Sequence, residues 1–118
     1  MTKFFDEILN GDCLKILKKI PDKTFDLIFA DPPYNLQIGN RLKRPDDSTV
    51  NGVNDRWDRF SNFNEYDDFS KIWLRECKRV LKDNGSIWVI GTYHNIFRLG
   101  YHIQNLNYWI LNDVIGGK

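Results

Sequence analysis

Hydrophobic positions fall along this chain in short blocks, and the spacing inside each block predicts a different element. Ile8-Leu9-Asn10 is a short strand candidate broken by Gly11-Asp12. Leu14, Leu17 and Ile20 then recur every three residues, the stripe of a helix that Asp12 is suited to cap and Pro21-Asp22-Lys23 to end. Residues 25–30 are apolar except for Asp26, which suits a mostly buried strand of parallel type. Asp31-Pro32-Pro33-Tyr34 stops that strand, because two successive prolines cannot continue a central one.

From residue 35 to residue 62 the chain is polar and has no period, so it reads as a long loop of the kind that is usually functional or disordered. The clearest helix follows at 65–82, with Tyr66, Phe69, Trp73, Cys77, Val80 and Leu81 on one face. Acids (Glu65, Asp67, Asp68) crowd its start and bases (Lys78, Arg79, Lys82) its end, matching the helix dipole, and Asn84-Gly85 supplies a stop. A strand at 86–91, a helix at 94–105 carrying Ile96, Leu99, Gly100 and Ile103, and a strand at 108–115 complete the pattern. The order β-α-β-loop-α-β-α-β predicts an α/β fold: a mostly parallel, doubly wound sheet with helices on both faces and right-handed crossovers.

Composition narrows the class without naming a function. The 118 residues fit one domain, and a net charge of +1 argues against a dedicated basic DNA-binding module while leaving room for a local patch. Cys13 and Cys77 are far apart and outside any C-x-x-C pattern, so neither a metal site nor a disulfide framework is expected. No signal peptide or apolar run of membrane-spanning length is visible, and a cytoplasmic protein with reduced thiols is the expectation.

Ligands in open α/β sheets bind beyond the carboxyl ends of the strands, and Asp31-Pro32-Pro33-Tyr34 sits at such an end. The prolines fix the backbone and remove two N–H donors, and Asp31, preceding a proline, is held extended. The tip therefore presents a carboxylate, bare carbonyls and one aromatic plate. An exocyclic amine on an aromatic ring is a poor nucleophile because its lone pair is conjugated. Two acceptors on its hydrogens, the Asp31 carboxylate and the Pro32 carbonyl, localise that lone pair towards an electrophile. Tyr34 can stack on the base that bears the amine, its ring needed and its hydroxyl not. A base inside a duplex is unreachable, so the target must be flipped out. The plainer alternative is a rigid turn with Tyr34 filling surface space.

The longer stretch Phe29-Ala30-Asp31-Pro32-Pro33-Tyr34-Asn35-Leu36 resembles the catalytic motif of the amino-methyltransferases that use S-adenosylmethionine. Asn10-Gly11-Asp12-Cys13-Leu14, the segment from Trp73 to Lys82 and the segment from Ser86 to Arg98 resemble the same subgroup. That subgroup is the β-class of DNA adenine-N6 methyltransferases and, within it, the bacterial cell-cycle-regulated group, whose members often recognise GANTC. The resemblance implies a Rossmann-like methyltransferase fold, S-adenosylmethionine as methyl donor and adenine in double-stranded DNA as substrate, with a homodimer in the full-length enzyme. It places Asp31, Pro32, Pro33 and Tyr34 in the catalytic motif and Asp12, Cys13 and Asp31 beside the cofactor, where Asp12 also caps its helix.

Three further residues are candidate DNA contacts. Arg44 and Trp57 lie in the long loop, Trp57 available to wedge or stack, although the balanced charges there (Arg41, Lys43, Arg44, Arg56 and Arg59 against Asp46, Asp47, Asp55 and Asp58) equally suit a solvated loop. His94 follows a strand end and faces the site, or is simply a polar residue at a helix start. N4-cytosine methylation uses a similar acceptor geometry, and a non-catalytic remnant or binding module of the same fold is the alternative of a different class.

In the β-class a DNA-recognition region and a Phe-x-Gly-x-Gly cofactor motif follow the catalytic motif, and neither occurs in these 118 residues. Gly116-Gly117-Lys118 has no strand and helix around it to serve as that motif. The chain is thus expected to be the N-terminal catalytic portion of a methyltransferase domain. By itself it should bind S-adenosylmethionine weakly and transfer no methyl group, since transfer needs donor and acceptor held in line. Calorimetric titration beside a transfer assay with tritiated donor checks this; tight binding with turnover would overturn it.

Overall fold

A computed structural model describes residues 6–34, 42–43, 49–50 and 60–116. The elements run α1 (Cys13–Lys19), β1 (Phe25–Ala30), β2 (Leu42–Lys43), β3 (Thr49–Val50), α2 (Phe63–Val80), β4 (Leu81–Val89) and α3 (Ile96–Asn105). β1 pairs parallel with β4, and α2 lies in the crossover between them. The fold is α/β, as the alternation of periods predicts. β2 and β3 pair antiparallel, Leu42 with Val50 and Lys43 with Thr49, so the stretch expected to be unbroken loop carries a small ladder.

α2 carries the expected apolar stripe but begins at Phe63, two residues before the expected start, with Asn62 as its cap. The Asn62 side chain accepts from the Glu65 N–H at 2.8 Å, and the Glu65 carboxylate accepts from the Ser61 N–H at 2.9 Å, a variant of the reciprocal N-terminal cap. The far end differs from expectation. The helix stops at Val80 instead of Lys82, because the chain entering β1 takes its last carbonyls: Lys23 N–H donates to Arg79 O at 2.9 Å and Thr24 N–H to Val80 O at 2.7 Å. Leu81 then pairs at once with Phe25, whereas Leu27 pairs with Ser86. Two residues of advance on β1 thus match five on β4, and residues 82–85 bulge out. A Cβ on Gly85 would lie 2.7 Å from Leu81 Cδ1 and 3.0 Å from the Asp26 carbonyl, so any side chain there would push Leu81 and the neighbouring strand out of place.

Arg79 ties α1 to α2. Its guanidinium donates to the carbonyls of Leu17 and Ile20, each at 2.8 Å, and to Asp22 at 2.7 Å, satisfying the open C-terminal end of α1. α3 is held to α2 through Asp67, whose carboxylate meets His102 Nε2 at 3.0 Å; Arg98 Nε lies 3.2 Å away, an ion pair without an aligned hydrogen bond.

The core gathers around the inner face of α2: Tyr66, Trp73, Leu74 and Cys77, with Leu99 of α3. Ile28 and Ala30 of β1 and Ile87 and Val89 of β4 pack onto it from the sheet, and Leu14 and Leu17 from α1. The opposite sheet face is bare: Leu27, Phe29 and Trp88 remain 60%, 66% and 53% exposed. Helices on both faces were expected; among the described residues they cover one.

The strands expected at residues 8–10 and 108–115 are irregular here. A strand exists only where a neighbour supplies its ladder, and apolar residues such as Ile8 and Trp109 stay exposed without one. Asn107, at φ 62°, ends α3 in the left-handed conformation and turns the chain back, so that the Tyr108 hydroxyl donates to the Leu74 carbonyl at 2.6 Å. Among the described residues no helix is long and apolar enough to cross a membrane.

Burial pushes the Cys77 thiol up from 9.0 to about 12, with Cys13 and Glu76 adding to the shift. The unfolded chain therefore loses this proton first. The stability it contributes is full below pH 9.0 and is lost as pH rises towards about 12. Urea unfolding at about pH 8 and about pH 11 should show a smaller alkaline loss for Cys77→Ala than for the parent. Equal losses would show that Cys77 ionisation is not part of alkaline unfolding.

Candidate active site

Because β1 and β4 are parallel, their carboxyl ends share one edge of the sheet. The ladder ends with Ala30 opposite Val89 and a last bond from Ile90 N–H to the Ala30 carbonyl at 2.9 Å. Beyond it the two chains diverge. One continues into Asp31-Pro32-Pro33-Tyr34, the other into Gly91-Thr92-Tyr93-His94-Asn95 and then α3.

Asp31 is exposed at this edge and the three residues after it are half-buried. The Tyr34 hydroxyl donates to Asp31 Oδ1 at 2.9 Å. The sequence assigns Tyr34 a ring alone; the structure adds this bond, which restrains the carboxylate and leaves it a second oxygen. The Pro33 carbonyl turns inward, accepting from the Tyr66 hydroxyl at 2.8 Å and, at a longer 3.4 Å, from Asn95 Nδ2. Asn95 Nδ2 also donates to the Tyr66 oxygen at 3.0 Å, and Asn95 Oδ1 accepts from the Thr92 N–H at 2.8 Å. Both side chains are buried. Phe60 backs the Tyr66 ring edge-on, centroids 4.9 Å apart.

Sequence reasoning missed Tyr66 and Asn95 as site residues. Tyr66 was legible only as part of an apolar stripe. The signal that finds it is chemical: a buried tyrosine hydroxyl needs a partner, and a diproline leaves carbonyls in want of donors.

His94 lies on the same sheet end, in the turn before α3. Its backbone N–H donates to Thr92 Oγ1 at 3.2 Å, its Nδ1 lies 3.3 Å from the same oxygen, and its ring stacks on Tyr93 at 4.2 Å. Asp12 occupies the N-cap of α1, Oδ1 accepting from the Leu14 N–H at 2.9 Å, so its helix-capping role is realised. Cys13 follows it; the residue is exposed overall, yet partial desolvation of the sulfur raises its pKa and the Asp12 carboxylate adds to the rise. The bonds at Asp12 run within α1, not to the Asp31–Tyr34 segment. Arg44 and Trp57 lie outside the described residues. Among the described residues no three His, Cys, Asp or Glu side chains are grouped to hold a metal ion.

Residues 25–118 match the family model for N6/N4 DNA methylases. The type II methyltransferase M.HinfI of Haemophilus influenzae is 56% identical over 118 residues, a match covering 100% of this chain and 33% of that protein. The type II methyltransferase M2.LlaDCHI of Lactococcus lactis subsp. cremoris is 38% identical over 123 residues, covering 100% of this chain and 45% of that protein. The chain thus spans between a third and a half of the length of these relatives.

The cap at Asp12 separates two roles by substitution. Asp12→Ala should cost about 1 kcal/mol of stability, and Asp12→Asn almost none, because asparagine caps equally well. Thermal unfolding of both variants checks this. A large loss in Asp12→Asn would mean that the carboxylate charge does something in the folded protein beyond capping α1.

Proposed function

Since this chain belongs to the N6/N4 DNA methylase family, we propose that it carries the amine-activating part of a DNA adenine-N6 methyltransferase that uses S-adenosylmethionine. The observation that carries the proposal is the state of the Asp31-Pro32-Pro33-Tyr34 acceptors at the sheet end. Pro33 O is engaged internally, while the Asp31 carboxylate is exposed and restrained by Tyr34 at one oxygen.

In this reading the flipped adenine donates one N6 hydrogen to the Asp31 carboxylate and the other to the Pro32 carbonyl. Both bonds favour the pyramidal nitrogen that forms as it attacks, because the acceptors strengthen their hold as positive charge develops. Asp31 then takes up the proton that the methylated nitrogen releases. Tyr34 stacks on the base and holds it against Asp31. S-adenosylmethionine, when bound, supplies the electrophilic methyl group. The donor set present fits such a group in chemical type: Asp31 is open at the edge, and Asp12 uses one oxygen in capping while a carboxylate has a second to offer. Arg44, Trp57 and His94 are proposed to meet the duplex. The choice of adenine over cytosine rests on the resemblance of the extended catalytic motif.

The test joins these 118 residues to the remaining length of a relative such as M.HinfI and assays methyl transfer beside duplex binding, starting with a GANTC duplex. Asp31→Ala should lower turnover by about a hundredfold or more while DNA binding persists. Tyr34→Ala should cost about 1–3 kcal/mol of stacking, and Tyr34→Phe only about 1 kcal/mol, the net worth of one hydrogen bond. Nucleoside analysis of the product reads N6-methyladenine against N4-methylcytosine. Near-normal turnover in Asp31→Ala would end the mechanism, and N4-methylcytosine would move it to the other base.

A further inference from the structure

The diproline creates a problem of anchorage. Pro32 and Pro33 have no N–H, so the segment cannot be fastened there by the donors that hold an ordinary strand end. Its fastening comes from outside, through one carbonyl and two side chains distant in sequence.

Asn95 is the informative one. It stands at the N-cap of α3, and asparagine is among the best residues for that position. Yet its side chain makes no capping bond to the helix. Its oxygen is taken by the Thr92 N–H and its amide nitrogen is aimed at Tyr66 and Pro33. Gly91 permits this inward placement: a Cβ there would lie 3.1 Å from Asn95 Oδ1 and 2.8 Å from Ile96 Cδ1. Tyr66 completes the arrangement. Its single O–H proton goes to Pro33 O, and its oxygen accepts from Asn95, so the two donors are ordered relative to each other.

We propose that Tyr66 and Asn95 are positioning residues that select which carbonyl of the diproline meets the substrate amine. Pro32, preceding a proline, is held extended, and in extended backbone neighbouring carbonyls point to different sides. Drawing Pro33 O inward therefore turns Pro32 O outward, beside Asp31. Neither Tyr66 nor Asn95 touches substrate; both act through the backbone of the catalytic segment. This rests on the methyltransferase reading above, and it joins α2 and the β4–α3 turn to the chemistry of β1.

The experiment uses these 118 residues joined to the remaining length of a relative such as M.HinfI, as above, with Tyr66→Phe, Asn95→Asp, the double variant and Asp31→Ala. Tyr66→Phe removes only the hydroxyl; Asn95→Asp keeps the acceptor for Thr92 N–H and removes the amide donor. Each single variant should lower kcat by roughly ten- to a hundredfold with KM for duplex unchanged, as expected when a reacting group is misplaced by a fraction of an ångström to an ångström. The double variant should be little worse than either single one, because both act on one carbonyl. With 13C-carbonyl proline, the Pro33 resonance should move in both variants while Pro21 stays. Folded variants with parental kcat, beside an inactive Asp31→Ala, overturn the positioning role and leave the methyltransferase reading standing. An active Asp31→Ala overturns that reading instead. A variant that loses thermal stability but keeps kcat in its folded fraction, or a Pro33 signal that does not move, shows Tyr66 and Asn95 to be core residues only.

Discussion

The parallel pairing of β1 with β4 is the constraint on which the site depends. Parallel neighbours cannot be joined by a tight turn, so the chain must leave β1, cross over and return in the same direction. α2 occupies that crossover. The same geometry brings both carboxyl ends to one edge, where Ile90 N–H closes the ladder on the Ala30 carbonyl. Asp31 and Asn95, 64 positions apart in the numbering, become neighbours of one backbone segment for that reason. A slip of one residue in the register would turn Ile28 and Ala30 out of the core and move Asp31 off the edge.

α2 serves this pairing in two ways. Its apolar face covers one side of the sheet, and its ends are tied to what comes before and after. Arg79 takes the open carbonyls of α1, Lys23 and Thr24 take the last carbonyls of α2, and Asp67 meets His102 of α3. Tyr66 and Asn95 bring polar groups into this core beside the Asp31–Tyr34 edge, while Ser70 and His102 are buried on the helices themselves. Leaving a buried hydroxyl or amide unpaired costs about 1–3 kcal/mol, so Tyr66 and Asn95 make sense only with Pro33 O and Thr92 N–H as partners. The core therefore carries a polar thread leading to the Asp31–Tyr34 segment, and its satisfaction depends on the diproline backbone being where it is.

The other side of the sheet differs. Leu27, Phe29 and Trp88 form an apolar strip with no cover among the described residues. Among the described residues, the burial that stabilises β1 and β4 comes from one face, and each strand has one unpaired edge. Stability thus rests on the α2 side, where a buried Cys77 and the Arg79 contacts are concentrated.

Much of this was legible from periodicity and punctuation. The bounds of β1 follow from an apolar run ended by two prolines, α1 from a stripe with a capping residue at its start, and the body of α2 from a stripe with acids at one end and bases at the other. Asp31-Pro32-Pro33-Tyr34 stood out in the sequence as a candidate site because it is chemically unusual: it has acceptors, a ring and two missing donors. Sequence could not settle what depends on partners remote along the chain. The expected strands at 8–10 and 108–115 lack a ladder here, α2 ends early because Lys23 and Thr24 claim its carbonyls, and Asn95 gives up a helix cap for Tyr66 and Pro33. The sequence by itself determined which residues can form elements and which group can accept from an amine, since those are local properties. Only the tertiary structure decided which edges are paired, which face is covered and which carbonyl is held inward, because each of those needs a second segment to be in place.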